Sequence, residues 1–393
     1  MSCTAANEDT FGDYPPCLGG NSSTKSPTFG FCYECKTKIL TTRLKKHLQK
    51  CPVIVNRLRK EQQIFFQPDI NYGSSGATKL NSSHDVTPEY LSMLLEKLYR
   101  VETQLAPFLT KYEFCVHHCS EVSKNKLQPA SKDSLQCAAL ALCLSRASRT
   151  PASSLSSGST LVEMCAGRGS LSTAVMKVYP FSKLFLIDRR PYRFKADRFL
   201  RRQCELIRLT IDLKDLNLFS MPELVDTQVT FVGKHLCGKA TDFALRCALS
   251  KLRDREKTKF AGMVIAPCCH HACTWSSFVN TAFLQKLGFD ESDFPHLVRM
   301  TSWATIGNSE KRNMNLPCGS DTESVLKSET NALVQACRSL GIDAVEKKMV
   351  GRRVKLLLNV ARVLWCKEMG FNVALQEFSD STVTPENQII VVQ

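Results

Sequence analysis

The sequence predicts an α/β fold built on a Rossmann-like, doubly wound parallel sheet, and three observations carry that prediction. Apolar strand-like runs at 160–164, 183–187, 205–211, 228–233 and 261–266 alternate with helical patterns, as βαβ units require. The first run, Leu161-Val162-Glu163-Met164, enters the turn Cys165-Ala166-Gly167-Arg168-Gly169, after which a helix opens at Ser170 or Ser172. The second run, Leu184-Phe185-Leu186-Ile187, ends in Asp188. In such a unit glycines let the backbone approach a ligand, the helix N-terminus offers free N–H groups, and the acidic residue accepts ribose hydroxyls. The full G-x-G-x-x-G pattern of dinucleotide enzymes is absent, because Cys165 stands where the first glycine would be. Glu163, at the end of the first strand, suits a cationic ligand such as S-adenosylmethionine. A glycine turn alone fits an ordinary strand–turn–helix equally well.

From the N-terminus, residues 1–28 are rich in Ser, Thr, Asn, Gly and Pro and are expected to be disordered. Residues 29–60 form a zinc-finger-like module, and residues 61–154 a linker and helical region. Within the latter, Gln67 to Thr87 reads as linker. Tyr90, Leu91, Leu94, Leu95, Leu98, Val101 and Leu105 recur at helical spacing after Pro88, and a further helix covers Ser134 to Ala147. The sheet domain spans 155–393. It includes a polar insertion loop at 308–331 and a long basic helix from Glu346 to Gly370. Two late strands, Ala374 to Phe378 and Gln388 to Val392, fit the antiparallel edge hairpin of a class I methyltransferase sheet.

The charge balance points to a polyanion. Among 393 residues, 52 Lys and Arg face 37 Asp and Glu, a net charge of +15, which favours nucleic acid over a generically basic surface. No apolar run is long enough to span a bilayer, and the polar, acidic stretch Met1 to Tyr14 is no signal peptide. The expected location is intracellular, in cytoplasm, nucleus or both. The 19 cysteines are then reduced thiols. Cys137, Cys143, Cys204, Cys247, Cys337 and Cys366 lie in apolar or helical patterns and read as core filler. Cys115-Val116-His117-His118-Cys119 is too dense for one tetrahedral site.

Cys32-x2-Cys35-x11-His47-x3-Cys51 has the spacing of a tetrahedral zinc site, with His47 and Cys51 one helical turn apart. In so short a segment a metal replaces a hydrophobic core. Its basic flank (Arg43, Lys45, Lys46, Lys50, Arg57, Arg59, Lys60) suggests contact with RNA phosphates.

Two strand ends carry the chemistry-bearing segments. One is Gly233-Lys234-His235-Leu236-Cys237-Gly238-Lys239-Ala240-Thr241-Asp242, and the other Ala266-Pro267-Cys268-Cys269-His270-His271. The C-terminal ends of strands line the ligand crevice of a doubly wound sheet, so both segments are expected in the cleft of the glycine turn. Zinc binding by Cys268, Cys269, His270 and His271 is an alternative, although adjacent residues chelate one ion poorly.

In these segments the chain resembles the eukaryotic tRNA 2′-O-methyltransferase family that modifies the nucleotide at position 4 of the acceptor stem. The resemblance runs over residues 155–393. It covers Glu163 to Ser172, Asp188-Arg189-Arg190 with Arg193 to Asp197, Ile211-Asp212-Leu213, Gly233 to Asp242, and Cys268-Cys269-His270-His271. It ends with Met300 to Ala304 and Thr384-Pro385-Glu386-Asn387. Cys165 and Arg168 replace the family's Gly and Lys, and Asn359 and Ala361 stand before Arg362 where Asp and Gly are usual.

The resemblance implies S-adenosylmethionine-dependent 2′-O-methylation of tRNA. Glu163, Ala166, Gly167 and Gly169 would line the methionine side, Asp188 would hold the ribose, and Asp212 the adenine. His235 is the first choice for general base and Lys234 for electrostatic stabilisation, with His270 and His271 in reserve. Arg189, Arg190, Arg193 and Lys195, with Arg352, Arg353, Lys355 and Arg362 on the late helix, would hold tRNA phosphates. Competing readings are a methyltransferase acting on another RNA or on protein, and a non-catalytic RNA-binding adaptor.

Overall fold

The computed structural model describes residues 28–73, 86–111, 131–147, 158–191, 197–250, 259–305, 332–378, 384 and 386–393. The N-terminal stretch through residue 27, the Cys115–Cys119 cluster, the insertion loop 308–331, Arg193 and Lys195 lie outside the described residues. The chain forms two compact units, Met1–Gln62 and Gln63–Gln393.

The first unit pairs β1 (Phe29–Cys32) with β2 (Thr37–Leu40) in an antiparallel hairpin. Helices α1 (Thr41–Lys50) and α2 (Pro52–Glu61) follow. Helix α1 buries none of its residues, whereas the Cys32 and Cys51 side chains are fully buried. The interior of this unit is therefore its thiols, as expected where a metal replaces an apolar core.

The second unit opens with α3 (Pro88–Leu105), β3 (Leu109–Lys111), α4 (Lys132–Ala147), β4 (Ser159–Met164), α5 (Ser170–Val178), β5 (Lys183–Asp188), α6 (Asp197–Leu200) and β6 (Glu205–Thr210). It continues with β7 (Gln228–Cys237), α7 (Lys239–Leu249), β8 (Lys259–Cys268), α8 (Thr281–Lys286), α9 (Phe294–Met300), α10 (Ala344–Glu368), β9 (Val373–Glu377) and β10 (Gln388–Val392). The sheet order is β3-β9-β10-β8-β7-β4-β5-β6. Strands β4 to β8 run parallel, and β10 lies antiparallel between β8 and β9, with Ile390 opposite both Ile265 and Leu375. This is a methyltransferase-like sheet with one added edge strand, β3. Its order reverses beside β4, which makes the end of β4 the switch point where ligands bind.

Both sheet faces are covered, so the central strands carry apolar residues on both faces. On one face Val162, Met164, Phe185, Ile187, Met263 and Ile265 join Leu91, Leu94 and Leu98 of α3 and Leu357 and Leu358 of α10. On the other, Leu161, Leu184, Leu186, Val264 and Ile389 join Leu140 and Leu144 of α4 and Leu171 and Val175 of α5. Of the six cysteines expected in the core, five are buried and Cys204 is half-buried.

Part of the expected linker is built structure. The Gln67 and Asn71 amides donate to the Asp215 and Lys214 carbonyls at 2.9 Å each. The buried Asn71 side chain donates to the Leu213 and Leu216 carbonyls at 2.7 and 2.8 Å. A strap of seven residues, 67–73, is thus fastened to the sheet body.

The late helix carries a second correction. Arg362 is fully buried, not free for RNA. Its Nε and Nη2 donate to the two Asp242 carboxylate oxygens at 3.2 and 2.8 Å, and its Nη1 donates to Asn359 Oδ1 at 3.0 Å. Its guanidinium also packs over the Phe278 ring, 5.1 Å from the centroid. Lys355 is also buried and donates to Glu386 at 2.7 Å. Both cations answer carboxylates rather than phosphates, the buried Asp242 and the half-buried Glu386.

Arg362→Met leaves the Asp242 carboxylate buried without its partner, and removal of one member of a buried ion pair costs about 3–5 kcal/mol. Denaturant unfolding is expected to show a loss of that size. An undiminished stability with weakened RNA binding would restore the phosphate-contact role.

Candidate active site and metal centre

The switch point forms a cavity of about 690 Å³. Its wall includes Glu163, Ala166, Gly167, Asp188 and Asp212 from one set of strand ends, and Lys234, His235 and Cys237 from β7. The neighbouring α4 contributes Asp133 and Cys137. Five of the six expected cofactor contacts thus meet around one space. Gly169 does not line it. That residue caps α5 at φ +81°, where an added Cβ would come within 3.2 Å of Leu186.

The turn after β4 is wound tightly. Cys165, Gly167 and Gly169 all take positive φ, at +55°, +51° and +81°. Cys165 therefore occupies a conformation that costs a side-chain-bearing residue roughly 1–2 kcal/mol. An added Cβ at Gly167 meets no atom within 4 Å, so a side chain there would enter the cavity. The Gly167 amide donates to Asp188 Oδ2 at 2.9 Å, and Arg208 Nη1 donates to the Gly167 carbonyl at 3.0 Å. Arg208 is itself ion-paired with Asp197 at 2.7 Å.

Glu163 is buried, and its Oε2 accepts hydrogen bonds from the Ser172 amide at 3.0 Å and from the Ser172 hydroxyl. Burial pushes its carboxyl up to about 7, against the pull of Ser172, Arg208 and Lys234. A desolvated carboxyl titrating near neutrality is poised to take up a cation.

Lys234 is buried, and its ammonium pairs with Asp133 and contacts Cys137 Sγ at 3.5 Å. Its charge is therefore already committed within the wall. His235 is exposed to the cavity mouth, with Nε2 3.8 Å from Asp133 Oδ1. Partial burial and the Lys234 ammonium hold the imidazole below its ordinary value of 6.5, so it is neutral at working pH. Asp133 was not anticipated from sequence. Its only local signal is a carboxylate at a helix start.

The expectation that His270 and His271 share this cleft is not met. Neither lines the cavity, because Cys269 turns the chain at φ +51° into a short 3₁₀ turn. That turn buries His270, with Nε2 3.0 Å from Asn359 Oδ1. Burial, then the Arg362 and Lys355 charges, push the His270 pKa well below 6.5. His270 belongs instead to a separate polar cavity of about 520 Å³ with Arg352, Lys355, Asn359 and Glu386. His271 is exposed.

Of the expected phosphate contacts, Arg189 and Arg190 are exposed and line the cavity rim with Arg168 and Lys239. Arg352 is exposed beside the second cavity. Arg353 is half-buried, paired with Glu102 at 2.7 Å and stacked 4.8 Å from the Tyr99 centroid.

In the first unit, Cys32, Cys35, His47 and Cys51 bring four ligand atoms within 4.8 Å of one another. Cys35 Sγ lies 3.4 Å from His47 Nε2, and Cys32 Sγ lies 3.9 Å from Cys51 Sγ. The Thr37 hydroxyl, 3.2 Å away, draws the Cys35 thiol down to about 6. Three sulfurs and an imidazole at these separations fit a tetrahedral zinc ion.

Comparison with known proteins agrees with the geometry. A family model described as "Methyltransferase TRM13" matches residues 131–393. The mouse "tRNA:m(4)X modification enzyme TRM13 homolog" is 28% identical, over 90% of this chain and 84% of its own. The Yarrowia lipolytica enzyme of the same description is 28% identical, over 89% of this chain and 77% of its own. The Schizosaccharomyces pombe enzyme is 28% identical, over 91% of this chain and 93% of its own. The matched segment contains every residue that lines the switch-point cavity, and the chain belongs to the TRM13 methyltransferase family.

Proposed function

We propose that the protein catalyses S-adenosylmethionine-dependent 2′-O-methylation of the ribose at position 4 in the acceptor stem of tRNA. The observation that carries this reading is the single cavity in which Glu163, Gly167, Asp188 and Asp212 face Lys234 and His235. The relatives' shared description as tRNA:m(4)X modification enzymes supports the substrate and the position. S-adenosylmethionine supplies an activated methyl group on a sulfonium. The carboxylates of the wall fit that cation, and the desolvated Glu163 in particular forms no ion pair among the described residues.

Methyl transfer is an in-line displacement. When bound, the cofactor would supply its methyl carbon to the ribose oxygen, with the carbon–sulfur electron pair left on sulfur. The protein's task is to orient the hydroxyl and take its proton. His235 accepts that proton, and Asp133, 3.8 Å from its Nε2, stabilises the imidazolium. Lys234 holds Asp133 in place. Arg189 and Arg190 at the rim hold phosphates, and the basic helix of the first unit adds further phosphate contact. Cys32, Cys35, His47 and Cys51 would hold a zinc ion that substitutes for a core.

The decisive experiment incubates purified protein with labelled S-adenosylmethionine and unmodified tRNAs and maps the labelled nucleotide. Label on a base, on another nucleotide or on protein overturns the proposal.

His235→Ala is expected to lower the single-turnover rate by about 10²–10⁴-fold while leaving cofactor and tRNA affinities nearly intact. The base must be neutral, so the wild-type rate should fall as pH drops through the lowered imidazole pKa, on the acid side of 6.5. That limb should be absent from the variant, and its persistence would move the base elsewhere.

Glu163 predicts a second pH effect. Below about 7 its carboxyl is protonated in the free protein, and a cationic ligand favours the ionised form. S-adenosylmethionine affinity should weaken as pH falls below that point, by up to about tenfold per unit. Calorimetry in buffers of different ionisation enthalpy should detect the released proton, and neither effect should survive in Glu163→Gln.

Neutralising Arg189 and Arg190 together should weaken all tRNAs alike and flatten the salt dependence of binding, because phosphate contacts release counterions. Changed preference among tRNAs at an unchanged salt slope would refute that assignment.

A further inference from the structure

The proposed methyl transfer leaves one cluster of reactive side chains unused. The ends of β7 and β8 bring together the thiols of Cys237, Cys268 and Cys269, whose sulfurs all lie within 4.8 Å of one another. Cys237 and Cys268 are 3.4 Å apart. This is not the environment of an inert core cysteine such as Cys247, Cys337 or Cys366, which are buried. Cys237 is exposed and lines the switch-point cavity, and Cys268 and Cys269 are half-buried.

The backbone enforces the convergence. The Gly238 amide donates to the Cys268 carbonyl at 2.9 Å. Gly238 takes φ +55°, and a Cβ there would stand 2.4 Å from the Ala272 backbone. Only glycine permits so close an approach of the two loops. Cys269 takes φ +51°, a left-handed conformation that strains a side-chain-bearing residue. The same turn places its thiol beside the other two. Tight packing and local strain are thus both spent on grouping three sulfurs.

The spacing discriminates between uses of such a group. Two thiolates on a tetrahedral zinc ion, each at about 2.3 Å, stand about 3.8 Å apart. A disulfide needs about 2.05 Å. We propose that Cys237, Cys268 and Cys269 bind one thiophilic divalent cation, zinc by preference, with the fourth coordination position left to solvent at the cavity wall. Each thiol gives its proton to solvent on binding. Three protein ligands with one open position contrast with the four-ligand set of the first unit. The ion ties together the strand end that carries Lys234 and His235 and the turn that carries His270 and His271. It holds the rim of the cavity at the ends of β7 and β8.

The test is elemental analysis of the full chain purified under reducing conditions. The finger ligands are removed in Cys32→Ser/Cys35→Ser, and the cluster in Cys237→Ser/Cys268→Ser and separately in Cys269→Ser. The finger variant is expected to keep one zinc per chain. Each cluster variant should hold one zinc fewer than wild type, whatever the finger itself binds. Cobalt(II) loaded into the finger variant should show thiolate-to-metal charge-transfer absorption. A finger variant without zinc, or cluster variants with the wild-type count, overturns the proposal. So does intact mass showing a Cys237–Cys268 disulfide in the reduced preparation.

Discussion

The buried pair of Asp242 and Arg362 is the contact on which the arrangement of this cleft depends. Asp242 stands on α7, directly after the segment that bears Lys234, His235 and Cys237, and Arg362 stands on α10. Placing two ions inside a protein costs several kcal/mol each in lost hydration, and only saturated hydrogen bonding offsets it. Here saturation is reached. The carboxylate accepts two guanidinium bonds and the Val279 amide, and the guanidinium also reaches Asn359 and Cys273. Asn359 extends the network to His270 and to the Gln388 side chain at the start of β10. One buried cation thus sets the mutual position of α7, α10, the turn after β8 and the closing strand.

A division of labour follows among the polar groups of the cavity wall. Asp133 answers Lys234, and Asp197 answers Arg208, which in turn fixes the Gly167 carbonyl. These pairs hold the turn and the β7 end without offering net charge. Inside, Glu163 is a desolvated carboxyl held by Ser172, and at the mouth His235 is a neutral imidazole 3.8 Å from Asp133. The first suits a bound cation and the second a proton in transit. Burial accounts for the first property, and burial together with the Lys234 ammonium for the second.

The region between the first unit and β4 is not a tether. Helix α3 closes one face of the sheet with α10, and α4 closes the other with α5. Helix α4 also delivers Asp133 to the cavity, so a segment outside the βαβ repeat supplies part of the site. The strap 67–73, fixed through Asn71, extends the same body further toward the N-terminus.

The strands were legible because their information is local. Runs apolar on both faces occur where helices cover both sides, and the five expected parallel strands appear with N-terminal bounds within two residues of expectation. The glycine turn and the Cys-x2-Cys…His-x3-Cys spacing were legible for the same reason, since each lies in one short segment. The inward or outward sense of α10 was not. Lys355, Asn359 and Arg362 recur at i, i+4 and i+7, which shows that they share a stripe but not which way it faces. A polar stripe ordinarily faces water. This one faces inward because Asp242 and Glu386 wait there, 120 and 31 positions away in the chain. The separation of His235 from His270, and the meeting of Cys237 with Cys268, likewise depend on strand pairing across distant sequence. Periodicity and spacing determine elements and local sites, whereas long-range packing decides which charges and thiols meet.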